Sequence, residues 1–169
     1  MSTDFQPVNA ADIQQVAVIG AGTMGRGIAI SFANAGINVT LLDLNEEVRQ
    51  QALTYVQGIY AGMVKRERIT QAQADECLAR FTLSGDYNDI AGVQLAIEAV
   101  YENIDLKKKI FAQLDETLNP DAILASNTSY LDIDAIAAAT KRPEQVLGLH
   151  FFSPAHIMKL LEIVRGDKT

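Results

Sequence analysis

The 169-residue sequence has little cysteine, little histidine and no excess of positive charge, and each shortage excludes a class of protein. Its one cysteine, Cys77, cannot form an internal disulfide, which fits a reducing compartment, and its helical context favours packing over catalysis. With only two histidines beside it, a structural zinc site is not expected, and we predict no metal. The net charge of −7 argues against nucleic acid or an anionic membrane as partner, because both require a basic surface.

Long apolar runs are missing as well. No stretch approaches the length of a membrane span, and residues 1–9 lack the apolar core of a signal peptide and the arginines of a transit peptide. We therefore expect a soluble, cytoplasmic chain with a flexible leader at 1–10. The hydrophobic content of 49% is sufficient for one domain with a sizeable core over residues 11–169.

Short apolar runs alternate with helical patterns along this domain. The runs are too short and continuous for helices and predict buried strands at 16–19, 39–42, 95–97, 122–125 and 146–149. Helical patterns occupy 24–35, 46–63, 70–78, 105–118 and 133–139, the third beginning with a capping box at Thr70. This alternation predicts a Rossmann-type α/β fold: a doubly wound, mostly parallel sheet, with an inserted helical arm at about 46–80.

A glycine motif lies between the first predicted strand and the first predicted helix, which is the context that dinucleotide binding requires. Within it, Gly20 would permit a tight turn, Gly22 would let a pyrophosphate approach the backbone, and Gly25 would let helix and strand pack closely. The N–H groups at the start of the helix would then face the phosphates. The complete motif is Gly20-Ala21-Gly22-Thr23-Met24-Gly25.

An acidic residue, Asp43, follows the second predicted strand at about the spacing that such motifs require. A carboxylate there accepts hydrogen bonds from the adenosine ribose hydroxyls and repels a 2′-phosphate. Because no Arg or Lys follows before Arg49, the sequence favours NAD over NADP as cofactor.

Two further polar groups follow predicted strands. The segment Ser126-Asn127-Thr128-Ser129 could donate to a nicotinamide or a substrate carbonyl, and it could equally cap the helix predicted from Ile133. His150 lies at the end of another apolar run, just before the turn at Ser153-Pro154. Because ligands of open α/β sheets bind outside the carboxyl ends of the strands, we expect both groups on one edge of the sheet.

A carboxylate, Glu162, lies twelve residues after His150 in the mostly apolar run 159–164. A buried carboxylate is costly without a partner, and histidine is the commonest proton shuttle near pH 7. The two residues therefore indicate a base and its orienting acid. The alternative is a core histidine bonded to a backbone carbonyl and a glutamate at a strand end facing water.

Four segments together resemble the NAD-binding domain of the L-3-hydroxyacyl-CoA dehydrogenases: the glycine motif, 98–103, 126–129 and 150–162. The similarity extends from about residue 13 to residue 166. It implies NAD-dependent oxidation of an L-3-hydroxyacyl-CoA to a 3-ketoacyl-CoA, in fatty-acid β-oxidation or related CoA metabolism. His150 would take the proton of the 3-hydroxyl, Glu162 would orient the imidazole, and Ser129 would contact both substrate hydroxyl and nicotinamide.

The resemblance also assigns residues to the two nucleotides. Glu102, Lys107 and Asn127 would contact NAD together with Ser129 and the glycine motif. The helical arm would help to hold coenzyme A through a basic patch of Lys65, Arg66 and Arg68, with Arg66 as the main contact. His156 is expected to pack or face solvent.

One departure from the family concerns the length of the chain. The family has a second, all-helical domain, and we expect residues 11–169 to be a Rossmann domain truncated before its last helix and strand. The full-length enzyme is expected to be a homo-oligomer acting on a small acyl-CoA. The alternative for this chain is a non-catalytic NAD-binding fragment or structural module.

Overall fold

The computed structural model describes residues 9–169, so most of the predicted leader lies outside the described residues. Of that leader, Asn9 caps a single 3₁₀ turn over Ala10–Asp12, which leads directly into the first strand. Within the described residues, no helix is both long and apolar enough to cross a membrane. The same residues contain no group of three His, Cys, Asp or Glu side chains placed to hold a metal ion.

Between residues 9 and 169 the chain forms one sheet and five α-helices. The strands are β1 Gln15–Ile19, β2 Asn38–Leu42, β3 Phe81–Ser84, β4 Leu95–Glu98, β5 Ile123–Ser126, β6 Val146–Phe151 and β7 Leu161–Arg165. The helices are α1 Thr23–Asn34, α2 Glu46–Lys65, α3 Gln71–Ala79, α4 Ile104–Thr117 and α5 Ile133–Ala137.

The strand order is β3-β2-β1-β4-β5-β6-β7, with every neighbouring pair parallel except β6 and β7. The chain therefore winds outward from β1 in one direction, returns beside β1 with β4, and winds outward in the other. The reversal between β1 and β4 creates the crevice in which such sheets bind ligands. The predicted doubly wound, mostly parallel fold is confirmed.

The core lies on both faces of the sheet because the strand residues alternate between them. In β1, Val16 and Val18 pack with Ile28 of α1, and Ala17 and Ile19 pack on the opposite face. That opposite face also holds the fully buried side chains Phe111 and Leu114 of α4 and Ile136 of α5. This two-sided burial explains why the strands appear in the sequence as continuous apolar runs.

The helical arm has a small core of its own. Val56 and Tyr60 of α2 pack with Ala74 of α3 against Ile30 of α1. The Tyr60 hydroxyl donates a 2.7 Å hydrogen bond to Oδ1 of Asn34, which joins the arm to the end of α1. The predicted capping box at Thr70 is present.

One strand, β3, was absent from the sequence prediction. Its residues, Phe81-Thr82-Leu83-Ser84, follow α3 after only Arg80, with no Gly or Pro to mark the change of structure. An alternating segment this short cannot be distinguished from a continuing amphipathic helix by periodicity. Its pairing with β2 is what defines it as a strand.

Candidate active site

The glycine motif forms the turn from β1 to α1, and two of its glycines are required by the backbone. Gly20 has φ +99°, and a Cβ there would lie 2.8 Å from the carbonyl oxygen of Ala99. A Cβ at Gly25 would lie 1.7 Å from the carbonyl oxygen of Gly20, so no side chain fits between helix and strand. These are the turn and packing functions that the sequence predicts for the two positions.

The middle glycine faces open space. A Cβ at Gly22 would meet no atom within 4 Å, and Gly22 is also the N-cap residue of α1. Among the described residues, no side chain caps this helix end. Unpaired N–H groups beside open space fit the pyrophosphate of a dinucleotide. Of the neighbouring motif residues, Ala21 is buried, Thr23 is exposed and Met24 lines the cleft described below.

Asp43 lies at the end of β2, directly beside the glycine turn. Its Oδ2 accepts a 3.0 Å hydrogen bond from the amide of Ala21, and its Oδ1 accepts one of 2.9 Å from the amide of Asn45. Each carboxylate oxygen has two lone pairs, so both can still accept a ribose hydroxyl. The guanidinium of Arg49, six residues further along the chain, donates to the carbonyl oxygen of Asp43. The sequence did not indicate this contact, because it depends on the direction in which α2 leaves β2.

A cleft of about 300 Å³ lies beyond the carboxyl ends of β4, β5 and β6. Both polar groups that the sequence placed on this edge contribute to it, so their convergence is observed. The lining residues are Met24, Ala99, Val100, Glu102, Asn127, Ser129, His150, Phe151, Phe152 and Ser153.

His150 and Glu162 are cross-strand partners in the antiparallel pair of β6 and β7. Nδ1 of His150 lies 2.8 Å from Oε2 of Glu162. The carboxylate can accept only, so in the neutral imidazole Nδ1 carries the proton and Nε2 keeps its lone pair. The ring of Phe152 lies against the imidazole at a centroid distance of 4.6 Å. The two side chains are therefore in contact, and their roles as base and orienting acid stay a prediction.

The expected burial of Glu162 is wrong. Its side chain is 53% exposed, whereas that of His150 is 19% exposed. Every residue of β7 is exposed, including Leu161, Ile163 and Val164. The apolar residues of this run belong to a strand that no described element covers. Apolar neighbours were therefore not evidence that Glu162 is buried.

The segment 126–129 connects the strand ends. Asn127 accepts a 2.9 Å hydrogen bond from the amide of Phe151 on its Oδ1, which fixes the end of β5 beside His150 on β6. The alternative that this segment caps the next helix is wrong, because the side chain of Asp132 caps α5. Ser129 is exposed at the cleft, where its amide and hydroxyl lie 3.2 and 3.4 Å from Oε2 of Glu102.

A buried ionic network lies behind this segment. Nζ of Lys107, a residue 1% exposed, lies 2.5 Å from Oε2 of Glu98 and 3.1 Å from Oε1 of Glu102. It also donates to the carbonyl oxygen of Val100 at 3.2 Å. These partners occupy all three N–H groups of the ammonium. The predicted contact of Lys107 with the cofactor stays a prediction; what is observed is that Lys107 holds Glu102 in place.

Glu102 is the part of this network that reaches the cleft. Burial alone would raise the pKa of its carboxyl, but hydrogen bonds from Thr128 and Lys107, the charge of Lys107 and the amide of Ser129 outweigh it and hold that pKa below its ordinary value. Glu102 is therefore ionised at neutral pH and presents a carboxylate beside Ser129.

Two sequence-predicted groups lie away from the cleft lining. The basic patch of Lys65, Arg66 and Arg68 is exposed at the junction of α2 and α3. His156 is partly buried and packs edge-on against Tyr55 of the arm at 6.3 Å between ring centroids, and burial lowers the pKa of its imidazole. Of the two expected environments for His156, packing or solvent, the structure shows packing.

Residues 15–169 match the family described as 3-hydroxyacyl-CoA dehydrogenase, NAD binding domain. The chain belongs to this family. The 3-hydroxybutyryl-CoA dehydrogenase of Escherichia coli is 42% identical, with a TM-score of 0.92 over 96% of this chain and 34% of that one. The peroxisomal bifunctional enzyme of Cavia porcellus is 43% identical over 92% of this chain and 21% of its own length.

A third relative is the fatty acid oxidation complex subunit alpha of Pseudomonas putida, 41% identical over 95% of this chain and 22% of its own length. The chain thus spans about a fifth of the length of the curated relatives that it matches. The family resemblance, the fold and NAD as cofactor are confirmed.

Proposed function

We propose that this chain contributes the cofactor-binding and proton-transfer half of an NAD-dependent L-3-hydroxyacyl-CoA dehydrogenase, forming a 3-ketoacyl-CoA in fatty-acid β-oxidation or related CoA metabolism. The observation that carries the proposal is the 2.8 Å contact between His150 Nδ1 and Glu162 Oε2 at the mouth of a cleft on the cofactor-binding edge of the sheet. Family membership and the 3-hydroxybutyryl-CoA dehydrogenase likeness support the substrate class.

Proton transfer is assigned to His150. Nε2 has the free lone pair and accepts the proton of the substrate 3-hydroxyl, which makes His150 a general base. The imidazolium that results is stabilised by the carboxylate of Glu162 at Nδ1, which also fixes the ring orientation. In the reverse direction, the C3 carbonyl of a 3-ketoacyl-CoA would take up a hydride from NADH, and Nε2 gives the proton to the alkoxide oxygen that forms there.

The residues beside His150 bind and orient. Bound NAD supplies the hydride acceptor, and its pyrophosphate and ribose positions fit the open space at Gly22 and the carboxylate of Asp43. Ser129 has a hydroxyl whose contact to Glu102 is long, at 3.4 Å, so it can turn toward the substrate oxygen. Asn127 keeps its amide nitrogen without a partner among the described residues and can donate to the nicotinamide.

The arm is assigned to coenzyme A. Arg66 follows the last residue of α2 and is exposed together with Lys65 and Arg68, which suits the phosphates of CoA. We expect Arg66→Ala to weaken CoA binding in calorimetry while NADH binding is unchanged. Equal weakening of both ligands would contradict the assignment.

The test of the proposal is a pair of histidine variants. The purified chain is titrated with NADH and acetoacetyl-CoA by calorimetry, and turnover is followed by NADH absorbance. His150→Gln should abolish turnover and leave NADH binding within about twofold, because its imidazole acts on the substrate proton. His156→Gln is the matched control, since it removes the other histidine, which packs against Tyr55 outside the cleft lining.

Two results would argue against parts of this proposal. Equal turnover in His150→Gln and the parent would refute the assignment of the base. NADH binding without turnover in the parent would favour the second candidate, a NAD-binding module that does not turn over by itself. That candidate is supported by the uncovered apolar side chains of Ile163 on β7 and of Ile157 and Leu160 in the segment before it.

The remaining assignments belong to the whole protein. We propose a Rossmann domain over residues 11–169 with the arm at about 46–80, a homo-oligomeric full-length enzyme, and a cytoplasmic location. The named relatives include peroxisomal proteins, so the compartment needs direct imaging of the tagged protein. Sedimentation of the full-length protein as a monomer would overturn the oligomer.

A further inference from the structure

A fully buried carboxylate, Glu98, lies at the end of β4 beneath the cleft, and none of the assigned functions uses it. Its Oε1 accepts a 2.6 Å hydrogen bond from the hydroxyl of Ser126. Its Oε2 accepts from the amide of Val100 at 2.8 Å and from Nζ of Lys107 at 2.5 Å. Three donors, one of them an ammonium, surround an acceptor-only group, which is the setting of an ionised carboxylate.

The charges of this network do not cancel. Glu98 and Glu102 are two carboxylates that share the single ammonium of Lys107, which leaves one negative charge. One carboxylate would be enough to neutralise this lysine, and an unmatched charge in a buried site is costly. The second carboxylate therefore needs an explanation other than charge balance. Among the described residues that line the cleft there is no Lys or Arg, so the excess is not neutralised from that side.

The excess charge lies where the two redox forms of the cofactor differ. The predicted adenosine and pyrophosphate positions, at Asp43 and Gly22, lie at the ends of β2 and β1. The nicotinamide half of the dinucleotide would therefore extend toward β4 and β5, where His150 and Ser129 line the cleft. The nicotinamide ring is cationic in NAD⁺ and neutral in NADH. A negative charge on this side therefore stabilises the oxidised form selectively.

We infer that Glu98, acting through Lys107 and Glu102, raises the affinity of this domain for NAD⁺ relative to its affinity for NADH. Glu98 is a positioning residue with an electrostatic effect, since Glu102 is the member of the network that reaches the cleft. The inference depends on cofactor binding alone, so it can fail or hold independently of the proposed dehydrogenation.

The test compares dissociation constants of NAD⁺ and NADH for the parent chain and Glu98→Gln by calorimetry, without substrate. Both forms share the adenosine and the pyrophosphate, so the ratio of the two constants isolates the nicotinamide. Glu98→Gln keeps the shape and removes the excess charge. We expect NAD⁺ binding to weaken about tenfold relative to NADH, the effect of one unit charge in a partly screened position.

Two further variants complete the experiment. Glu116→Gln makes the same charge change on the exposed side of α4, and it should leave the ratio unchanged. Glu102→Gln removes the same excess charge from the cleft side and should move the ratio in the same direction. It decides the question if Glu98→Gln fails to fold, as judged by circular dichroism.

The inference is overturned if NAD⁺ and NADH binding weaken by the same factor, because that result indicates a purely structural network. It is also overturned if Glu116→Gln shifts the ratio as much as Glu98→Gln, or if the parent chain binds neither form. An unchanged ratio would remove the electrostatic effect of Glu98 and would leave the proposed role of His150 untouched, because no substrate is present in this experiment.

Discussion

Replacing Glu162 with glutamine should slow turnover by a limited factor that follows from its exposure. Glutamine can still accept the Nδ1–H of His150 through its amide oxygen, so the tautomer is kept and only the negative charge is lost. A hydrogen bond to a charged group contributes about 1.5–3 kcal/mol. Because the Glu162 side chain is 53% exposed, screening reduces this to about 1–2 kcal/mol. The expected loss in kcat is about 5- to 30-fold.

The assay is NADH oxidation with saturating acetoacetyl-CoA, together with the Kd for NADH of each variant. Glu162→Ala should lose more activity than Glu162→Gln, since it removes the orientation of the ring as well as the charge. Glu116→Gln is the control for a change of one surface charge. A loss below twofold in Glu162→Gln, or one as large as that of His150→Gln, would refute the reasoning from exposure.

Two further predictions concern cofactor binding and stability. Gly22→Ala should weaken NAD binding by about tenfold or more, with a loss in the free energy of unfolding below about 1 kcal/mol. Gly25→Ala should leave no cooperative transition in a thermal melt, because a Cβ at this position has no space. Arg142→Met should lower the free energy of unfolding, measured in urea at pH 7, by about 3–5 kcal/mol. The reason is that the buried guanidinium pairs with Asp115 and donates to carbonyl oxygens at the end of α4. Lys141→Met, at the exposed neighbouring position, should leave the free energy of unfolding nearly unchanged.

The Arg142 prediction has a defined pH dependence. Burial alone would raise the pKa of Asp115, but the Arg142 hydrogen bond and charge, with the amide of Lys141, hold that pKa below its ordinary value. A depressed folded-state pKa stabilises the protein above the unfolded pKa, and the contribution is lost as pH falls through the folded value. The difference between parent and Arg142→Met should shrink in acid. A constant difference from pH 7 to acid would contradict this linkage.

The sequence predicted the strand-end residues well because their positions follow from chain order. A parallel sheet aligns the carboxyl ends of its strands, so Asn127 and His150 had to meet on one edge once their strands were recognised. The exposure of Glu162 could not be predicted in the same way. Apolar neighbours such as Ile163 show what a segment tends to bury, and they do not show whether a covering layer is packed on it.

The ionic network was missed although the sequence carries a signal for it. Lys107 stands in a run of three lysines, which ordinarily indicates a solvated helix face. Yet Lys107 lies three, four and seven residues before Ile110, Phe111 and Leu114, which form the buried stripe of α4. A charge within a buried stripe needs a partner, and Glu98 on a neighbouring strand supplies it across the sheet–helix interface.

The pairing of His150 with Glu162 is a consequence of strand register. Side chains alternate between the two faces of a sheet, so a slip of one residue between β6 and β7 would set Ile163 or Leu161 opposite the imidazole and turn the carboxylate to the other face. The dyad is therefore either fully aligned or absent, with no intermediate arrangement. Changes in the length of the connection between the strands leave this alignment intact as long as the ladder re-forms in frame. The contacts of Phe152 with the imidazole and of His156 with Tyr55, and not the dyad itself, limit how far that connection can diverge.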